Sequence, residues 1–166
     1  GGRSCLFDDR GVAVSVRIAV ERPDRPEVVA LIRALDAYQQ ALYPPESNHL
    51  LDLASLTRPE VIFCVARSDG AAIGCGAALL AEDAAGVPYG EIKRMYVAPE
   101  QRGAGLGWAI LGFLEEELMQ RNVTLARLET GIYQPEAIGL YERMGYRRVG
   151  PFGDYGADPL SLFFEK

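Results

Sequence analysis

Three glycines, Gly103, Gly105 and Gly107, alternate with other residues just before an apolar stretch in the segment QRGAGLGWAIL at 101–111. Glycine loses more backbone entropy on folding than other residues and adds no packing surface. Such a run therefore indicates a turn with unusual dihedral angles, or the close approach of a ligand to the backbone. The apolar residues predict a helix from about residue 105, and the N–H groups at a helix N-terminus bind phosphate. With Arg102 as an added cation, the segment predicts a phosphate-binding turn.

Two nucleotide-binding motifs share this chemistry but not this spacing. The glycines follow the pattern G-A-G-L-G and not G-x-G-x-x-G, and a dinucleotide site would also need an acidic residue after a second parallel strand. The glycines are not followed by Gly-Lys-Ser or Gly-Lys-Thr, which excludes a P-loop. A glycine-rich helix start that binds no ligand is the remaining alternative.

Hydrophobic periodicity predicts the elements that would hold this turn. Asp24 is the expected N-cap of the first helix, which has Pro26 in its first turn, and Ser47 is the expected cap of a short second helix. Asp69 and Gly70 are typical of a two-residue hairpin turn. The predicted order is β-α-α-β-β-β-α-β-α-β-β, with strands at 12–20, 60–68, 71–82, 89–97, 125–131, 146–150 and 160–166 and helices at 24–42, 48–54, 105–120 and 134–145.

The composition is that of one ordinary globular domain. The chain has 166 residues, of which 49% are hydrophobic, and we expect one domain at 12–166 after a flexible or vector-derived end at 1–11. The sequence has no apolar run long enough to span a bilayer and no signal peptide, so we expect a cytoplasmic protein without a membrane partner. The net charge of −6 argues against nucleic-acid binding and favours a cationic substrate, although a solvated acidic surface would give the same charge.

The three cysteines, Cys5, Cys64 and Cys75, do not have a metal-binding spacing, and their odd number suggests a reducing compartment. Cys64 and Cys75 flank the predicted hairpin turn. If Ser68 faces Ala71, the same register makes these two cysteines cross-strand neighbours. We expect them to be reduced thiols of the core and not a redox pair.

The segment at 95–111 resembles the acyl-CoA motif of the GNAT superfamily of N-acetyltransferases. Arg102, Gly105 and Gly107 fill the fixed positions of the motif Q/R-x-x-G-x-G/A, and the preceding V-x-P-x-x-R-G pattern also fits. The segment EAIGLYERMGY at 136–146 is similar to the family's later helix, A-x-x-L-Y-x-x-x-G-F/Y. The resemblance implies the GNAT-type fold, in which a mixed, mostly antiparallel α/β sheet carries helices on both faces.

The resemblance also implies where acetyl-CoA would bind, as a cosubstrate and without a metal. Its pyrophosphate would lie on the backbone amides from Arg102 to Trp108. Its pantetheine arm would hydrogen-bond along Met95–Val97, where the strand at 89–97 splays from the next one. Gln134 stands where many members have Asn, and Trp108 where a basic or smaller residue is common. The expected cofactor-binding residues are Met95, Tyr96, Val97, Arg102, Gly103, Ala104, Gly105, Leu106, Gly107, Trp108, Gln134, Ala137 and Tyr141.

Acetylation of an amine by a thioester needs a base, because lysine-like amines have a pKa near ~10. Glu91 is an acidic residue in an otherwise core-like strand, and strict alternation places it on the same face as Met95 and Val97. By resemblance, its offset from Arg102 is similar to that of the glutamate that acts as base, usually through water, in histone-type members. The alternatives for Glu91 are an ion pair with one of the two basic residues that follow it, or a solvated strand face.

By the same resemblance, Tyr141 lies beside the sulfur of the coenzyme, where its hydroxyl would protonate the departing thiolate. The alternative is a core tyrosine on an amphipathic helix. The backbone amide of Tyr96 or Val97 would stabilise the oxyanion. The sequence has no evident Ser-His-Asp or Cys-His arrangement and no metal cluster, so we expect direct attack by the amine in a ternary complex.

The acceptor groove is the part that the sequence determines least. His49 lies in a segment that borders the acceptor groove of the fold that the chain resembles, but it could instead cap or pack the short helix. Glu129 could face the acceptor or pair with an arginine. The turn-rich stretch at 150–161 is either a specificity loop with Asp154 and Tyr155 exposed, or a hairpin connection. The candidate acceptor residues are Tyr43, Glu46, Asn48, His49, Glu129, Asp154 and Tyr155.

Together these residues predict an acetyl-CoA-dependent N-acetyltransferase with Glu91 as general base and Tyr141 as general acid. We expect the acceptor to be a small polar or cationic primary amine, with a protein amine as the second choice, and we leave a homodimer open. A non-catalytic acetyl-CoA-binding sensor or scaffold is the alternative from a different functional class.

Overall fold

Twelve helices and strands follow one another in the computed structural model, which describes residues 3–7, 13–48 and 52–166. Short 3-10 helices at Pro45–Ser47 and Pro99–Gln101 lie between them. The elements are β1 (Arg3–Phe7), β2 (Ala13–Val20), α1 (Pro26–Leu42), α2 (Leu53–Leu56), β3 (Val61–Ser68), β4 (Ala71–Glu82), β5 (Pro88–Val97), α3 (Leu106–Gln120), β6 (Ala126–Gly131), α4 (Pro135–Arg143), β7 (Arg147–Val149) and β8 (Ser161–Glu165).

The eight strands form one sheet in the order β1-β2-β3-β4-β5-β6-β8-β7. Every pair is antiparallel except β5 and β6, which run parallel. The larger core packs α3 and α4 on one face of the sheet, and a second core packs α1 and α2 on the other. The predicted fold, a mixed and mostly antiparallel sheet with helices on both faces, is therefore confirmed. None of the helices within the described residues is long and apolar enough to cross a membrane.

The first strand was not predicted. β1 comes from the residues that the sequence analysis leaves outside the domain, and it pairs antiparallel with β2 from Arg3↔Arg17 to Phe7↔Ala13. The open edge of β2 offers backbone donors and acceptors to any extended segment. Because pairing of this kind needs no particular side-chain pattern, hydrophobic periodicity does not reveal it.

The predicted caps of the first two helices are wrong. Asp24 accepts hydrogen bonds from the Arg22 guanidinium, with the shortest at 2.7 Å, and α1 begins after Arg25 without a side-chain cap. Ser47 ends a 3-10 helix, and the N-cap of α2 is Asp52, whose carboxylate accepts a 2.7 Å hydrogen bond from the backbone N–H of Ser55. In both cases a nearby polar partner competes with the helix for the side chain that was expected to cap it.

The hairpin between β3 and β4 turns at Asp69 and Gly70, as predicted, and both residues have positive φ. Ser68 does face Ala71, but the register shifts between Ala66, which faces Gly74, and Arg67, which faces Ala72. This shift is a bulge that adds one residue to β4. As a result Cys64 faces Gly76, so the expected pairing of Cys64 with Cys75 is wrong.

Cys64 and Cys75 are nevertheless free, buried thiols, as expected, but they lie in the cores on opposite faces of the sheet. Burial raises the pKa of the Cys75 thiol to about 12 and also raises that of Cys64.

A second bulge, in β5, matters more for function. Ala77 faces Lys93 and Cys75 faces Tyr96, so one residue of β4 lies opposite two residues of β5. Arg94 is one of those two and has a φ of 58°. The extra residue reverses the alternation along the second half of β5.

The bulge overturns the expected face of Glu91. Ile92, Met95 and Val97 pack into the core under α3, so Glu91, next to Ile92, points to the opposite face, toward α1. In a regular strand without the bulge, Glu91 would lie on the same face as Met95 and Val97.

Two glycines of the central strands let α3 approach the sheet. A Cβ at Gly76 would lie 2.8 Å from Ile110 Cγ2 and 3.0 Å from Leu114 Cδ1, and a Cβ at Gly90 would overlap the side chain of Leu118. All three of these α3 residues are fully or almost fully buried. The absence of side chains at 76 and 90 therefore sets the distance between α3 and the sheet.

We expect Gly90→Ala to destabilise the fold by about 1–3 kcal/mol, because the added methyl overpacks against Leu118. Gly112→Ala is the matched control: it lies in α3 with open space around its Cβ position, and it should stabilise the fold by up to about 1 kcal/mol through helix propensity. Urea unfolding of both variants measures the two free energies. Equal stability of Gly90→Ala and wild type would show that α3 is not held against the sheet at this point.

Candidate active site

A cleft of about 630 Å³ opens where β5 and β6 separate. The two strands pair only from Gly90↔Ala126 to Ile92↔Leu128, and beyond Ile92 the residues of β5 lose their neighbour on that side. The cleft is lined by residues from both faces of the sheet, among them Glu91, Val97 and Tyr141. The predicted splaying of these two strands is therefore present in the structure.

The glycine turn forms one end of the cleft. Gly103 and Gly105 have φ of 87° and 80°, a conformation that residues with a Cβ rarely adopt. Gly105 is the N-cap of α3 and supplies no side chain to its first-turn N–H groups. Gly107 has a different role: a Cβ there would lie 3.2 Å from the side chain of Leu140 of α4, closer than an ordinary contact. Two glycines thus shape the turn and the third lets α4 approach α3.

The N-terminus of α3 can bind a phosphate group, because no side chain caps its first-turn N–H groups. The first-turn N–H groups of a helix have no partner within the helix and carry a partial positive charge. Arg102 adds a cation at the mouth of the cleft, where its Nε donates a 3.0 Å hydrogen bond to the carbonyl of Val97 and its guanidinium lies 5.6 Å from the Tyr96 ring centre. The turn therefore fits a phosphate group, and next to it lies the part of β5 beyond Ile92 that no longer pairs with β6.

Tyr141 lies in the wall of the cleft on the α4 side. Its ring packs against Tyr146 and Phe164, with ring centres 5.9 and 6.3 Å away. Burial, and next the charge of Glu129, raise the pKa of the Tyr141 hydroxyl above its usual value. The hydroxyl is therefore protonated at neutral pH and can act as a proton donor.

Glu91 belongs to a buried cluster with Lys93 and Tyr155. Its Oε2 accepts hydrogen bonds from the Tyr155 hydroxyl at 2.5 Å and from Lys93 Nζ at 3.2 Å. Lys93 Nζ also donates to the Tyr155 oxygen at 2.8 Å. Burial, followed by the charge of Glu91, raises the pKa of the Tyr155 hydroxyl, which stays protonated as the donor to the carboxylate.

The ion-pair alternative for Glu91 is thus realised, with Lys93 as the partner, and it leaves the carboxylate in the cleft. Both donors bind Oε2, and within the described residues Oε1 has no hydrogen-bond partner. Oε1 can therefore accept a hydrogen bond from a water or an amine in the cleft.

Tyr155 reaches this cluster from the segment between β7 and β8. Its ring packs against Phe152 and Phe163, with ring centres 5.3 and 5.4 Å away. Of the two residues that a specificity loop would expose, Asp154 is exposed, whereas Tyr155 is half-buried because this aromatic cluster holds it in the cleft.

The side chain of Tyr43 bridges the two sides of the split between β5 and β6, and we call this bridge the Tyr43 strut. The Tyr43 hydroxyl accepts a 3.1 Å hydrogen bond from the N–H of Tyr133 and donates at 3.3 Å to Oε1 of Gln134. A Cβ at Gly131 would overlap the Tyr43 ring. The end of α1 is thereby joined to the start of α4 across the cleft.

The structure brings together most of the predicted site residues. The cleft is lined by both catalytic candidates, by all the cofactor candidates except Ala104, and by the acceptor candidates Tyr43, Glu129 and Tyr155. Glu46, Asn48 and Asp154 do not line it, and His49 lies outside the described residues.

Lys93 and Arg94 also line the cleft, although their sequence positions indicate only that they are possible ion-pair partners of Glu91. Their position next to Glu91 is a signal for a buried charged cluster, but the face of Arg94 depends on a bulge that the sequence does not announce. Among the described residues, no group of three or more His, Cys, Asp or Glu side chains could hold a metal ion.

Comparisons with known proteins agree with this geometry. The profile of the Acetyltransferase (GNAT) family matches residues 28–146. The IAA acetyltransferase of Azospirillum brasilense is 49% identical over 152 residues, which cover 92% of this chain and 97% of the relative.

Solved structures give the same result. A Klebsiella pneumoniae protein assigned to the acyl-CoA N-acyltransferases is 40% identical, with a TM-score of 0.75 over 91% of this chain and 96% of its own. The fold also matches that of the PaiA N-acetyltransferase of Thermoplasma acidophilum in complex with coenzyme A, at 17% identity and a TM-score of 0.68 over 92% and 98% of the two chains. The predicted enzyme class, an acetyl-CoA-dependent N-acetyltransferase, is confirmed. The chain belongs to the GNAT family of acetyltransferases.

Proposed function

We propose that this enzyme transfers the acetyl group of acetyl-CoA directly to a primary amine of a small molecule, within a ternary complex. One observation carries the proposal: a carboxylate and a protonated tyrosine, Glu91 and Tyr141, line one cleft from opposite faces of the split sheet. Acetyl-CoA, when bound, would supply the thioester. The residues of the chain would bind it, take a proton from the amine and give a proton to the leaving thiolate.

Glu91 would accept the proton of the amine, directly or through water. The donors Lys93 and Tyr155 hold its Oε2 and fix the direction of the carboxylate, so that Oε1 is presented to the cleft. A general base that is held in place by its neighbours needs no reorganisation when the proton arrives.

Tyr141 would give its proton to the thiolate. Its raised pKa keeps the hydroxyl protonated at neutral pH, and its position on α4, in the wall of the same cleft as the glycine turn, supports this role. The backbone amide of Tyr96 or Val97, at the unpaired end of β5, would bind the oxyanion.

A small acceptor is favoured over a protein amine because Glu91, the proposed base, is buried. Glu91 is only 7% exposed, and Tyr155 covers one of its oxygens. The relative named as an IAA acetyltransferase supports a small-molecule acceptor.

The first test is calorimetric titration of the protein with acetyl-CoA, with ATP and NAD as controls. Wild type should bind acetyl-CoA tightly. The double variant Gly105→Glu, Gly107→Glu should bind it at least ~100-fold more weakly, because two carboxylates would repel the pyrophosphate and Gly105 has a left-handed backbone.

Gly112→Glu places a carboxylate on the same helix away from the turn, and it should bind like wild type. Absence of binding by wild type, or equal affinity for ATP and NAD, would mean that the turn is not an acetyl-CoA site.

The second test measures steady-state acetylation by Glu91→Gln. Its kcat/KM should be about 100-fold below that of wild type at pH 7, since a general base contributes roughly that factor or more. The deficit should shrink as the pH approaches ~10, where amines lose their proton in solution without help. Glu46→Gln, outside the cleft, is the control. A deficit that does not change with pH would argue that Glu91 only positions the acceptor.

The third test compares Tyr141→Phe with Tyr146→Phe. Tyr141→Phe should lower kcat about 100-fold and leave the dissociation constant of acetyl-CoA unchanged, because only the proton donor is lost. Tyr146, which donates to Glu115 at 3.1 Å, should affect stability but not kcat. Full activity of Tyr141→Phe would favour the core-tyrosine alternative, and full activity of both Glu91→Gln and Tyr141→Phe would remove both residues from the chemical step.

A further inference from the structure

Arg94 is a charged residue that the proposed reaction does not use. The bulge gives it a φ of 58°, which is uncommon for a residue with a side chain. Its side chain reaches Asp36 of α1 and so lies on the same face of the sheet as Glu91. The left-handed backbone therefore aims a second cation at the acceptor side of the molecule.

The guanidinium of Arg94 is buried and incompletely satisfied. Its side chain is 2% exposed, and Nη1 donates a 2.7 Å hydrogen bond to Oδ1 of Asp36. Nε is also buried but has no hydrogen-bond partner within the described residues. Buried donors of charged groups are paired in nearly all proteins, so an unpaired one in a residue that lines the cleft indicates a missing acceptor.

Three other cations line the cleft, Lys93, Arg102 and Arg143. Arg143 belongs to α4, on the face of the sheet opposite to the one that Arg94 and Asp36 share. Lys93 is bonded to Glu91 and Tyr155, and the Nε of Arg102 is bonded to Val97 at the cofactor end. Among residues 3–7, 13–48 and 52–166, the guanidinium of Arg94 has one partner, Asp36, whose side chain is 35% exposed. A carboxylate or phosphonate oxygen would satisfy a guanidinium better than water, since charge-assisted hydrogen bonds are the stronger ones.

We propose that the acceptor carries an anionic group, a carboxylate or a phosphonate, in addition to its amine, and that Arg94 binds this group while Glu91 receives the amine. The inference rests on the proposed acetyl transfer and names the substrate class of the same site. It narrows the expected cationic or polar amine to a zwitterionic one. Glu91 and Arg94 are three residues apart on β5, which would be about 10 Å in an extended strand and is less across the bulge, so the test covers acceptors with a range of chain lengths.

The experiment measures kcat/KM of the wild-type enzyme with acetyl-CoA and three matched series of acceptors. One series holds amino acids with one to six carbons between the amine and the carboxylate, the second holds their carboxamides, and the third holds aminoalkylphosphonates. We expect at least one chain length at which the acid is a tenfold or better substrate than its amide. A preference for the amides at every length, together with no turnover of the phosphonates, would overturn the inference.

Variants distinguish a role of Arg94 in anion binding from a purely structural role, in which its ion pair with Asp36 joins β5 to α1. Arg94→Gln should bring the ratio of acid to amide close to one, and Asp36→Ala should raise it several-fold because it removes the acceptor of Nη1. Arg67→Gln is the control, because Arg67 likewise joins a strand to α1, donating to Glu27 at 2.8 Å, but does not line the cleft. If the role of Arg94 is only structural, Arg94→Gln will lower the melting temperature and leave the ratio of acid to amide turnover as it is in wild type.

The outcomes distinguish the two proposals. Turnover of amines without preference for an anionic group refutes the role of Arg94 and keeps the acetyltransferase. Absence of acetyl transfer to every amine, with acetyl-CoA still bound in the titration, refutes the proposed function, and the inference about the acceptor fails with it.

Discussion

The bulge at Arg94 is the constraint on which the site depends. Up to Ile92, β5 is an ordinary central strand, paired with β4 on one side and β6 on the other. The extra residue then reverses the alternation of side chains, and beyond this point β6 is no longer paired with β5. Without the bulge, the face that carries Glu91 would also carry Met95 and Val97, which instead fill the core beneath α3. One inserted residue thus separates a polar side, the proposed acceptor side, from an apolar side, the proposed cofactor side, within a single strand.

Such an arrangement is costly unless the buried charges find partners. Glu91 and Lys93 are both largely withdrawn from water, and neither would be stable there alone. Tyr155 completes the cluster, and its ring is held by Phe152 and Phe163. The segment between β7 and β8 is therefore more than a connection, since the geometry of the central carboxylate depends on aromatic packing at the far edge of the sheet.

The sequence predicted what depends on local patterns. Strands β2 to β8, the helices α1, α3 and α4, the hairpin at Asp69 and the glycine turn each have a signature within a few neighbouring residues, and they appear where they were expected. Strand β1 and the caps of α1 and α2 were missed because they depend on which partners are available. Two other failures share one cause: the bulges in β4 and β5 add a residue that no periodicity marks, and from each bulge onward the side chains exchange faces. The pairing of Cys64 and the face of Glu91 were wrong for this reason, whereas the residues that line the cleft were found because motif spacing fixes them.

The Tyr43 strut shows why the split can remain open. Where β6 leaves β5, backbone hydrogen bonds no longer join the two halves of the sheet, and the gap would close or widen without another tie. The Tyr43 ring occupies the space that a side chain at Gly131 would need, and its hydroxyl bonds to the N–H of Tyr133 and the side chain of Gln134. The same tyrosine ends α1, which borders the acceptor side, and fixes the start of α4, which carries Tyr141. Since no larger residue fits at 131 while Tyr43 is present, these two positions are coupled, and a substitution at Tyr43 would also displace α4, the helix that carries the proposed proton donor Tyr141.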